Sequence, residues 1–302
     1  MKASLRALVD RMIDYAGLFP PAKLEMEAAV AEFLDIMKSD SGFYVDRFVC
    51  PAGDIEALED ALTKHHVNID NEDASELAVI APRLSSAEEL KPRIKKLTQQ
   101  LEEARLPLGT LEMALPGGGN AHAATKAVMK SDLPEFVGQM YLEFGWGSDF
   151  ADSLHEAASA SEDVGFKART GGITAEAFPS TEQLAEFIVV CAQLEAPFKF
   201  TAGLHEPLRY QDQNLGVMRH GFLNAMVGST IAVAKDATKS EVRQVLEITD
   251  PGAVIVTDEF IQLGDFKVTK DDIDDFWGYF GGFGSCSVAE PVAGLQRLGL
   301  LD

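Results

Sequence analysis

Short apolar runs alternate with amphipathic helical segments along most of this 302-residue chain, and this alternation limits the possible folds more than any other feature. The alternations recur at intervals of roughly 30 residues, the spacing of strand–helix–strand units whose strands pair in parallel. Neither a GxGxxG nor a P-loop signature is present. We therefore predict an α/β fold in which eight strands close into a (β/α)8 TIM barrel, with a doubly wound open sheet as the alternative.

The domain organisation follows from the same pattern. No internal repeat, low-complexity tract or proline- and serine-rich linker divides the chain, so residues 1–302 are expected to form a single barrel domain. The pattern becomes irregular after Arg209, and we expect residues 210–280 to form an insertion or lid within that domain. The eighth strand is expected in the run that ends at Gly284.

The overall charge limits the kinds of partner. Forty-eight acidic residues against 26 basic ones give a net charge of −22, which argues against binding to nucleic acid or to an anionic membrane. No apolar run approaches the ~18 residues that a membrane span requires. Cys50, Cys191 and Cys286 have neither metal-binding nor disulfide-framework spacing, which indicates a cytoplasmic protein. The sequence leaves the oligomeric state open, a homo-oligomer included.

Two lysines interrupt neighbouring strand-like runs. Lys167 and Lys199 each lie in an otherwise apolar stretch, and residues 180–194 between them have the pattern of a helix. In parallel α/β folds the carboxyl ends of the strands face the ligand. Two like charges held there disfavour each other and burial adds to the effect, so we expect one lysine to be a neutral amine near pH 7.

A neutral lysine at a barrel mouth has a specific chemical use. It can attack a carbonyl and form a Schiff base, which allows a carbon–carbon bond to break or form without a metal or other cofactor. The expected partner is therefore a small-molecule carbonyl compound or another small anionic substrate.

Three short motifs carry a resemblance to a known family. Residues 166–171 (FKARTG) and 198–203 (FKFTAG) resemble the paired lysine motifs of the deoxyribose-phosphate aldolases, which are class I enzymes built on a barrel. The two lysines are 32 positions apart, about the interval that this family uses. Residues 283–287 (FGSCS) are similar to the family's phosphate loop.

The resemblance implies roles for individual residues. It implies that Lys167 forms the Schiff base and that Lys199 is the neighbour that lowers its pKa. It also implies that Gly171, Gly172, Gly203, Ser285 and Ser287 lie near the substrate's phosphate or other anion. Arg169, from the basic residues around the lysines, is a further candidate for binding the substrate. The chain departs from the family where Leu204 and His205 replace a second glycine. The resemblance therefore supports the lysine chemistry more than it supports a sugar phosphate as the substrate.

Polar residues outside the lysine motifs are further candidates. Glu112 and Glu143 interrupt the fourth and fifth apolar runs, and we expect both to point into the barrel, as proton relays or as ion-pair partners of Lys167 or Arg169. His205 could be a general acid or base, or the cap of a turn. Residues 117–120 (GGGN) could bind an anion or form a plain turn. Glu112, Glu143, His205 and His122 lack the spacing of a metal motif, so no metal is predicted.

Three functions follow from these residues. The leading hypothesis is an aldolase-like lyase with Lys167 as the nucleophile. The first alternative is a metal-independent barrel isomerase or transferase, in which Lys167, Arg169 and Lys199 hold a phosphorylated metabolite. The second alternative is a ligand-binding barrel without catalytic activity.

Overall fold

The computed structural model describes residues 1–67, 76–83, 90–104, 106–115, 121–130 and 138–301. The strands within these ranges are β1 (Ile13–Tyr15), β2 (Val45–Pro51), β3 (Leu77–Ile80), β4 (Leu108–Ala114), β5 (Gln139–Glu143), β6 (Val164–Arg169), β7 (Phe198–Thr201), β8 (Tyr210–Asp212), β9 (Val217–Arg219), β10 (Val254–Val256), β11 (Phe260–Leu263), β12 (Phe266–Thr269) and β13 (Phe280–Ser285).

Eight of these strands form a closed barrel. Its order is β1, β13, β7, β6, β5, β4, β3 and β2, and every neighbouring pair is parallel. The predicted (β/α)8 TIM barrel is therefore confirmed, and the open sheet is not formed. The run that ends beside Gly284 is the eighth barrel strand, as the sequence indicated.

Helices alternate with the strands along the chain. The described ones are α1 (Ala3–Val9), α2 (Met26–Lys38), α3 (Ile55–Lys64), α4 (Leu90–Ala104), α5 (Ala121–Met129), α6 (Phe150–Ala158), α7 (Thr181–Gln193), α8 (Phe222–Lys235), α9 (Lys239–Leu246), α10 (Lys270–Trp277) and α11 (Ala289–Arg297). Residues 117–120, the glycine-rich segment that the sequence allowed as an anion site or a turn, lie outside the described ranges.

Helix α7 illustrates how the sequence determines the packing around the barrel. Ser180 accepts a hydrogen bond from the Gln183 backbone N–H, and the Gln183 side chain returns to Ser180, so a capping box begins the helix. Phe187 on its inner face contacts Phe198 and Phe200, with ring centroids 6.1 Å away in both cases. Because side chains alternate along a strand, this outward packing turns the residues between them toward the barrel interior.

Residues 210–280 contain the hairpin β8–β9, the sheet β10–β11–β12 and the helices α8, α9 and α10, and only the beginning of this segment reaches the barrel mouth. The antiparallel hairpin β8–β9 contributes cavity residues, whereas residues 220–283 contribute none. Helix α8 is buried along most of its length. The antiparallel sheet β10–β11–β12 packs against α8, and β11 also packs against α1.

Within the described ranges, no helix combines the length and the apolar character needed to cross a membrane.

Candidate active site

A cavity of about 490 Å³ opens at the carboxyl ends of the barrel strands. A volume of this size is typical of small-molecule sites. Its charged lining consists of Arg83, Glu112, Glu143, Lys167, Arg169 and Arg219, together with His205. Lys167 is the only lysine among the described residues that line it.

Strand alternation turns the charged residues of the site inward. Lys167 on β6 is in register with Glu143 on β5 and with Lys199 on β7, so these three side chains come from adjacent strands at one level of the barrel. Interiors of such barrels are usually filled with branched aliphatic side chains. Here Asp14, Glu112, Lys167 and Lys199 are all buried. Charges are costly to bury unless they are paired, so their partners determine whether the site is stable.

Glu112 lies between the two lysines. Its Oε2 accepts a hydrogen bond from Lys167 Nζ at 2.8 Å, and its Oε1 accepts one from Lys199 Nζ at 2.6 Å. All three side chains are at most 3% exposed. The two amines are therefore buried close to each other, with a carboxylate between them.

Further charges extend this arrangement in both directions. Lys199 Nζ also donates to Asp14 Oδ2, and Asp14 Oδ1 lies 3.6 Å from Arg47 Nη1. On the other side, Glu143 lies 2.9 Å from Lys167 Nζ and 3.3 Å from Arg169 Nε. The result is a chain of alternating charges, here called the charge chain, that consists of Arg47, Asp14, Lys199, Glu112, Lys167, Glu143 and Arg169.

The charge chain sets the protonation of both lysines. Burial alone would lower the pKa of Lys167, but the charges of Glu112 and Glu143 outweigh it and raise this pKa above its usual value. The pKa of Lys199 is raised in the same way by Asp14 and Glu112. The prediction of a neutral amine near pH 7 is therefore wrong for the resting site, because carboxylates and not the other lysine are the nearest charges.

The carboxylates respond in the opposite sense. Burial would raise the pKa of Glu112, but the two ammonium groups outweigh it and hold this pKa at about 2. The pKa of Glu143 is also lowered, by Lys167 and Arg169 against the effect of burial. At neutral pH these two glutamates and both lysines are ionised.

Access distinguishes the two lysines. Lys167 lines the cavity, whereas Lys199 lies behind Glu112 and does not. A carbonyl compound in the cavity can therefore reach the Lys167 amine without displacing the charge chain. Lys199 can influence the chemistry only through Glu112 and Asp14.

Fixed side chains surround the mouth of the cavity. His205 Nδ1 lies 2.7 Å from Glu290 Oε2, so this histidine is paired at the rim and is not in contact with the lysines through that nitrogen. Trp146 Nε1 donates to the backbone oxygen of Arg169 at 2.8 Å and thereby holds the end of β6. These contacts keep the rim in one arrangement.

The glycines and serines of the expected anion site have different positions. Gly172, Gly203 and Ser285 line the cavity, whereas Gly171 and Ser287 do not. Gly171 instead packs against Gly203, where an added Cβ would lie 2.8 Å from the Gly203 Cα. Ser285 Oγ donates to the Ser287 backbone oxygen at 2.7 Å, so its hydroxyl closes the turn after β13. The expected loop is therefore only partly directed at the cavity.

Asp14 and Arg219 are more prominent in the structure of the site than in the sequence pattern. Asp14 is fully buried against Lys199, but β1 has only three residues and offers little pattern from which to recognise an inward position. Arg219 lies in the basic segment after Lys199, but only the hairpin β8–β9 brings it to the cavity. The sequence signal that could have identified Asp14 is its position as a charged residue in a short, otherwise apolar run.

His122 does not pair with Glu112. Its Nδ1 lies 3.0 Å from Ser159 Oγ, in the outer layer of helices. Among the described residues, no three histidine, cysteine, aspartate or glutamate side chains are grouped so as to hold a metal ion.

Neither the models of known protein families nor the sequences of curated proteins give a match to this chain.

Proposed function

We propose that this protein is a lyase of the class I aldolase type, in which Lys167 forms a Schiff base with a small carbonyl compound. One observation carries the proposal: the Lys167 side chain is 3% exposed, lines the cavity, and has its Nζ within 2.9 Å of two carboxylates that can take and return its protons. Buried titratable groups with shifted pKa values in a cleft are typical of catalytic sites.

Deprotonation of Lys167 is the first step of the proposed reaction. The resting ammonium must pass a proton to a carboxylate before its nitrogen can attack. Glu143 is the better acceptor because its second cation, Arg169, is half exposed and 3.3 Å away, whereas Glu112 is held between two buried ammonium groups. A substrate anion that binds Arg169 weakens the hold of this arginine on Glu143. The pKa of Glu143 then rises, and Glu143 accepts the proton of Lys167 more readily. The negative charge of the substrate thus promotes formation of the neutral Lys167 amine.

Imine formation then proceeds without net proton uptake. The Lys167 nitrogen forms a bond to the carbonyl carbon, and the carbonyl oxygen takes the proton that Glu143 holds. The second nitrogen proton and the hydroxyl group leave as water, with the carboxylates as the relay, and a protonated imine remains. Glu143 is a carboxylate again at the end of this step.

Carbon–carbon cleavage follows from the positive imine nitrogen. A carboxylate takes the proton of a hydroxyl group on the β carbon, two positions from the imine carbon. The bond between the α and β carbons breaks, its electron pair forms the enamine double bond, and the π electrons of the imine move to the nitrogen. An aldehyde leaves and an enamine remains. Protonation of the enamine carbon and hydrolysis of the imine release the second product and restore Lys167.

Lys199 has a supporting role in this proposal. Its ammonium group lies 2.6 Å from Glu112 Oε1 and keeps that carboxylate ionised and oriented toward Lys167. This role differs from the one that the resemblance implies, in which Lys199 lowers the pKa of its neighbour directly.

The likeness to deoxyribose-phosphate aldolases belongs to the same proposal. Two lysines in register on adjacent strands, with Gly203 and Ser285 in the cavity wall, support it. The free thiols of Cys50, Cys191 and Cys286 support a place in the reducing cytoplasm.

Reductive trapping tests the Schiff base. The protein is incubated with a small aldehyde or oxo acid, reduced with borohydride, digested and mapped by mass spectrometry. We expect the adduct on Lys167, its loss in Lys167→Met, and its retention in Lys239→Met, which removes an exposed lysine paired with Glu182. Adducts on exposed lysines alone would overturn the proposal.

A metal-independent isomerase or transferase is the second candidate, and the raised pKa of Lys167 favours it. A permanent ammonium at the cavity floor can stabilise an anion that develops on the substrate while Glu143 moves a proton. This reaction predicts no borohydride adduct at Lys167, together with exchange of substrate protons in deuterated water. The ligand-binding barrel without activity predicts neither adduct nor exchange.

A further inference from the structure

The two halves of the barrel line the cavity with different chemistry. The polar residues of the lining come mostly from β5, β6, β7, the hairpin β8–β9 and the end of β13. The residues from β1 to β3 and the segment after β1 are mostly apolar. A ligand in this cavity therefore meets a polar wall on one side and an apolar wall on the other.

The apolar wall is a distinct cluster within the molecule. Ala16, Val49 and Ala78 form a small buried group, with Phe19 and Ile80 packed against it, separate from the main hydrophobic core. Four of these five side chains, all except Ala78, line the cavity. Among the described residues of this half, the exposed Arg83 after β3 is the charged exception.

The polar wall carries a guanidinium group that is held in place before any ligand binds. Arg219 Nε lies 2.8 Å from Asp212 Oδ2, and its Nη1 donates to the Tyr210 hydroxyl at 3.1 Å. The guanidinium carbon lies 5.0 Å from the centre of the Phe178 ring. Asp212 offsets part of the charge, but the planar group with its remaining donors is fixed at the cavity edge.

Arg169 supplies a second guanidinium on the same wall. It follows Lys167 by two positions on β6, so the two side chains share a face and their Cα atoms are roughly 7 Å apart along the strand. Its side chain is 50% exposed at the mouth, and it faces the cavity above Lys167. An anionic group of the substrate is thus placed near the carbonyl that Lys167 attacks.

We infer that the cavity selects an amphipathic oxo acid: a carbonyl compound with an anionic group at Arg169 and Arg219 and an aliphatic or aromatic substituent against Ala16, Val49 and Ile80. This inference rests on the proposed Schiff base at Lys167. A sugar phosphate is a poorer occupant, because its hydroxyl groups would face the apolar wall without hydrogen-bond partners.

The contribution of the apolar wall can be measured with two 2-oxo acids. Pyruvate and 2-oxohexanoate have the same carbonyl and carboxylate, and differ by three methylene groups. Each buried methylene strengthens binding about fourfold, so the concentration that half-saturates borohydride trapping at Lys167 is expected to be at least tenfold lower for 2-oxohexanoate. Equal half-saturation for the two acids would overturn the inference.

Two matched variants assign that preference to the wall. Val49→Thr places a hydroxyl group in the apolar wall without a change of size, and should reduce the advantage of 2-oxohexanoate at least threefold. Val79→Thr makes the same change in the main core, on the neighbouring strand, and should leave the advantage unchanged. A loss in Val79→Thr as large as that in Val49→Thr would contradict a wall-specific effect.

The proposed binding of the substrate's anionic group by Arg219 is tested by comparing oxo acids with an uncharged aldehyde. Arg219→Gln should weaken trapping of both oxo acids about tenfold and leave trapping of hexanal, which has no anionic group, within twofold of the parent protein. An equal loss for hexanal would assign Arg219 a purely structural role and contradict the inference. If no carbonyl compound gives an adduct, the proposed function itself fails, whereas adducts without these preferences contradict only the substrate class.

Discussion

Lys167 carries a charge that its proposed reaction requires it to lose. Because its pKa is raised above the usual 10.5, the fraction of neutral amine increases about tenfold for each pH unit between 7 and 10. We expect the rate of imine formation with propionaldehyde, measured by borohydride quenching and mass spectrometry, to rise with pH throughout this range. A plateau that begins near pH 7 would show an amine already neutral and contradict the assigned direction.

Glu143→Gln removes one of the two carboxylates that raise the pKa of Lys167. The pH profile for propionaldehyde should therefore move to lower pH, while the rate that it reaches at high pH should fall, because Glu143 also relays protons during imine formation. Glu290→Gln is the control, since that carboxylate pairs with His205 at the rim and should leave the profile in place. An unchanged profile in Glu143→Gln would mean that this carboxylate does not hold the proton on Lys167.

Glu112 links the charge chain to acid stability. Its pKa is about 2 in the folded protein against 4.5 in the unfolded chain, so its contribution is present above pH 4.5 and is lost as the pH falls toward 2. That contribution is about 3 kcal/mol. The lysines, whose pKa values are raised, lose their contribution only at alkaline pH.

Urea unfolding of the parent protein and of Glu112→Gln at pH 7, 5, 4 and 3 isolates this contribution. The variant should be less stable at pH 7 by about 3–5 kcal/mol, because two buried ammonium groups lose a partner. The difference should shrink as the pH falls. A difference that stays constant from pH 7 to pH 3 would show that Glu112 does not titrate with the shifted pKa.

The sequence predicted most residues of the site but not their electrostatics. Lys167, Lys199, Glu112 and Glu143 could be recognised because each interrupts an apolar strand-like run, where a charge is costly unless it serves a purpose. The order of charges around the barrel depends on which strands are neighbours across the interior. A single sequence does not show that Glu112 lies between the two lysines, so the pKa direction was missed.

At the scale of elements, the close contact between the ends of β6 and β7 depends on Gly203. This residue has φ +82°, and an added Cβ would lie 2.8 Å from the Thr170 backbone oxygen and 3.0 Å from the Gly171 Cα. Gly216 in the β8–β9 turn has φ +67° with open space around its Cβ position. Both positions disfavour alanine through φ, but only Gly203 adds a steric overlap.

Alanine at each glycine separates these two effects. Gly216→Ala should cost about 1 kcal/mol of unfolding free energy, and Gly203→Ala about 1–3 kcal/mol more, with weaker trapping at Lys167. Urea unfolding and borohydride trapping of the two variants provide the comparison. Equal losses of stability would show that the strand ends adapt and that their close approach is not required.

The barrel strands were more predictable than residues 210–280. Most barrel strands lie in apolar runs between turn signals, and parallel strands joined by helices favour a sequential order around a barrel. Helix α8 packs against α7, α9 and α10 and is buried on all sides along residues 222–232, so its sequence lacks the apolar stripe that distinguishes a helix from a strand. The position of Arg219 at the cavity could not be predicted either, because it depends on where the hairpin β8–β9 lies.

For the whole molecule, the surface and the cavity have opposite charge balance. The chain carries a net charge of −22, whereas the described residues that line the cavity include four arginine or lysine side chains and two glutamates. The excess of negative charge therefore lies elsewhere on the protein, where it repels itself and destabilises the compact state. Salt screens exposed charges over about 10 Å at 0.1 M but acts much less on the buried charge chain.

Salt should consequently stabilise the fold without altering the lysine chemistry. We expect the melting temperature to rise by several degrees between about 10 mM and 300 mM NaCl, because screening weakens the repulsion between surface carboxylates. Trapping of uncharged propionaldehyde at Lys167 should change less than twofold over the same range, since Glu112 and Glu143 are shielded from solvent with it. Sodium sulfate at equal ionic strength is the control for effects of the particular salt. A rise in melting temperature that depends on which salt is used, and not on ionic strength, would contradict the electrostatic explanation.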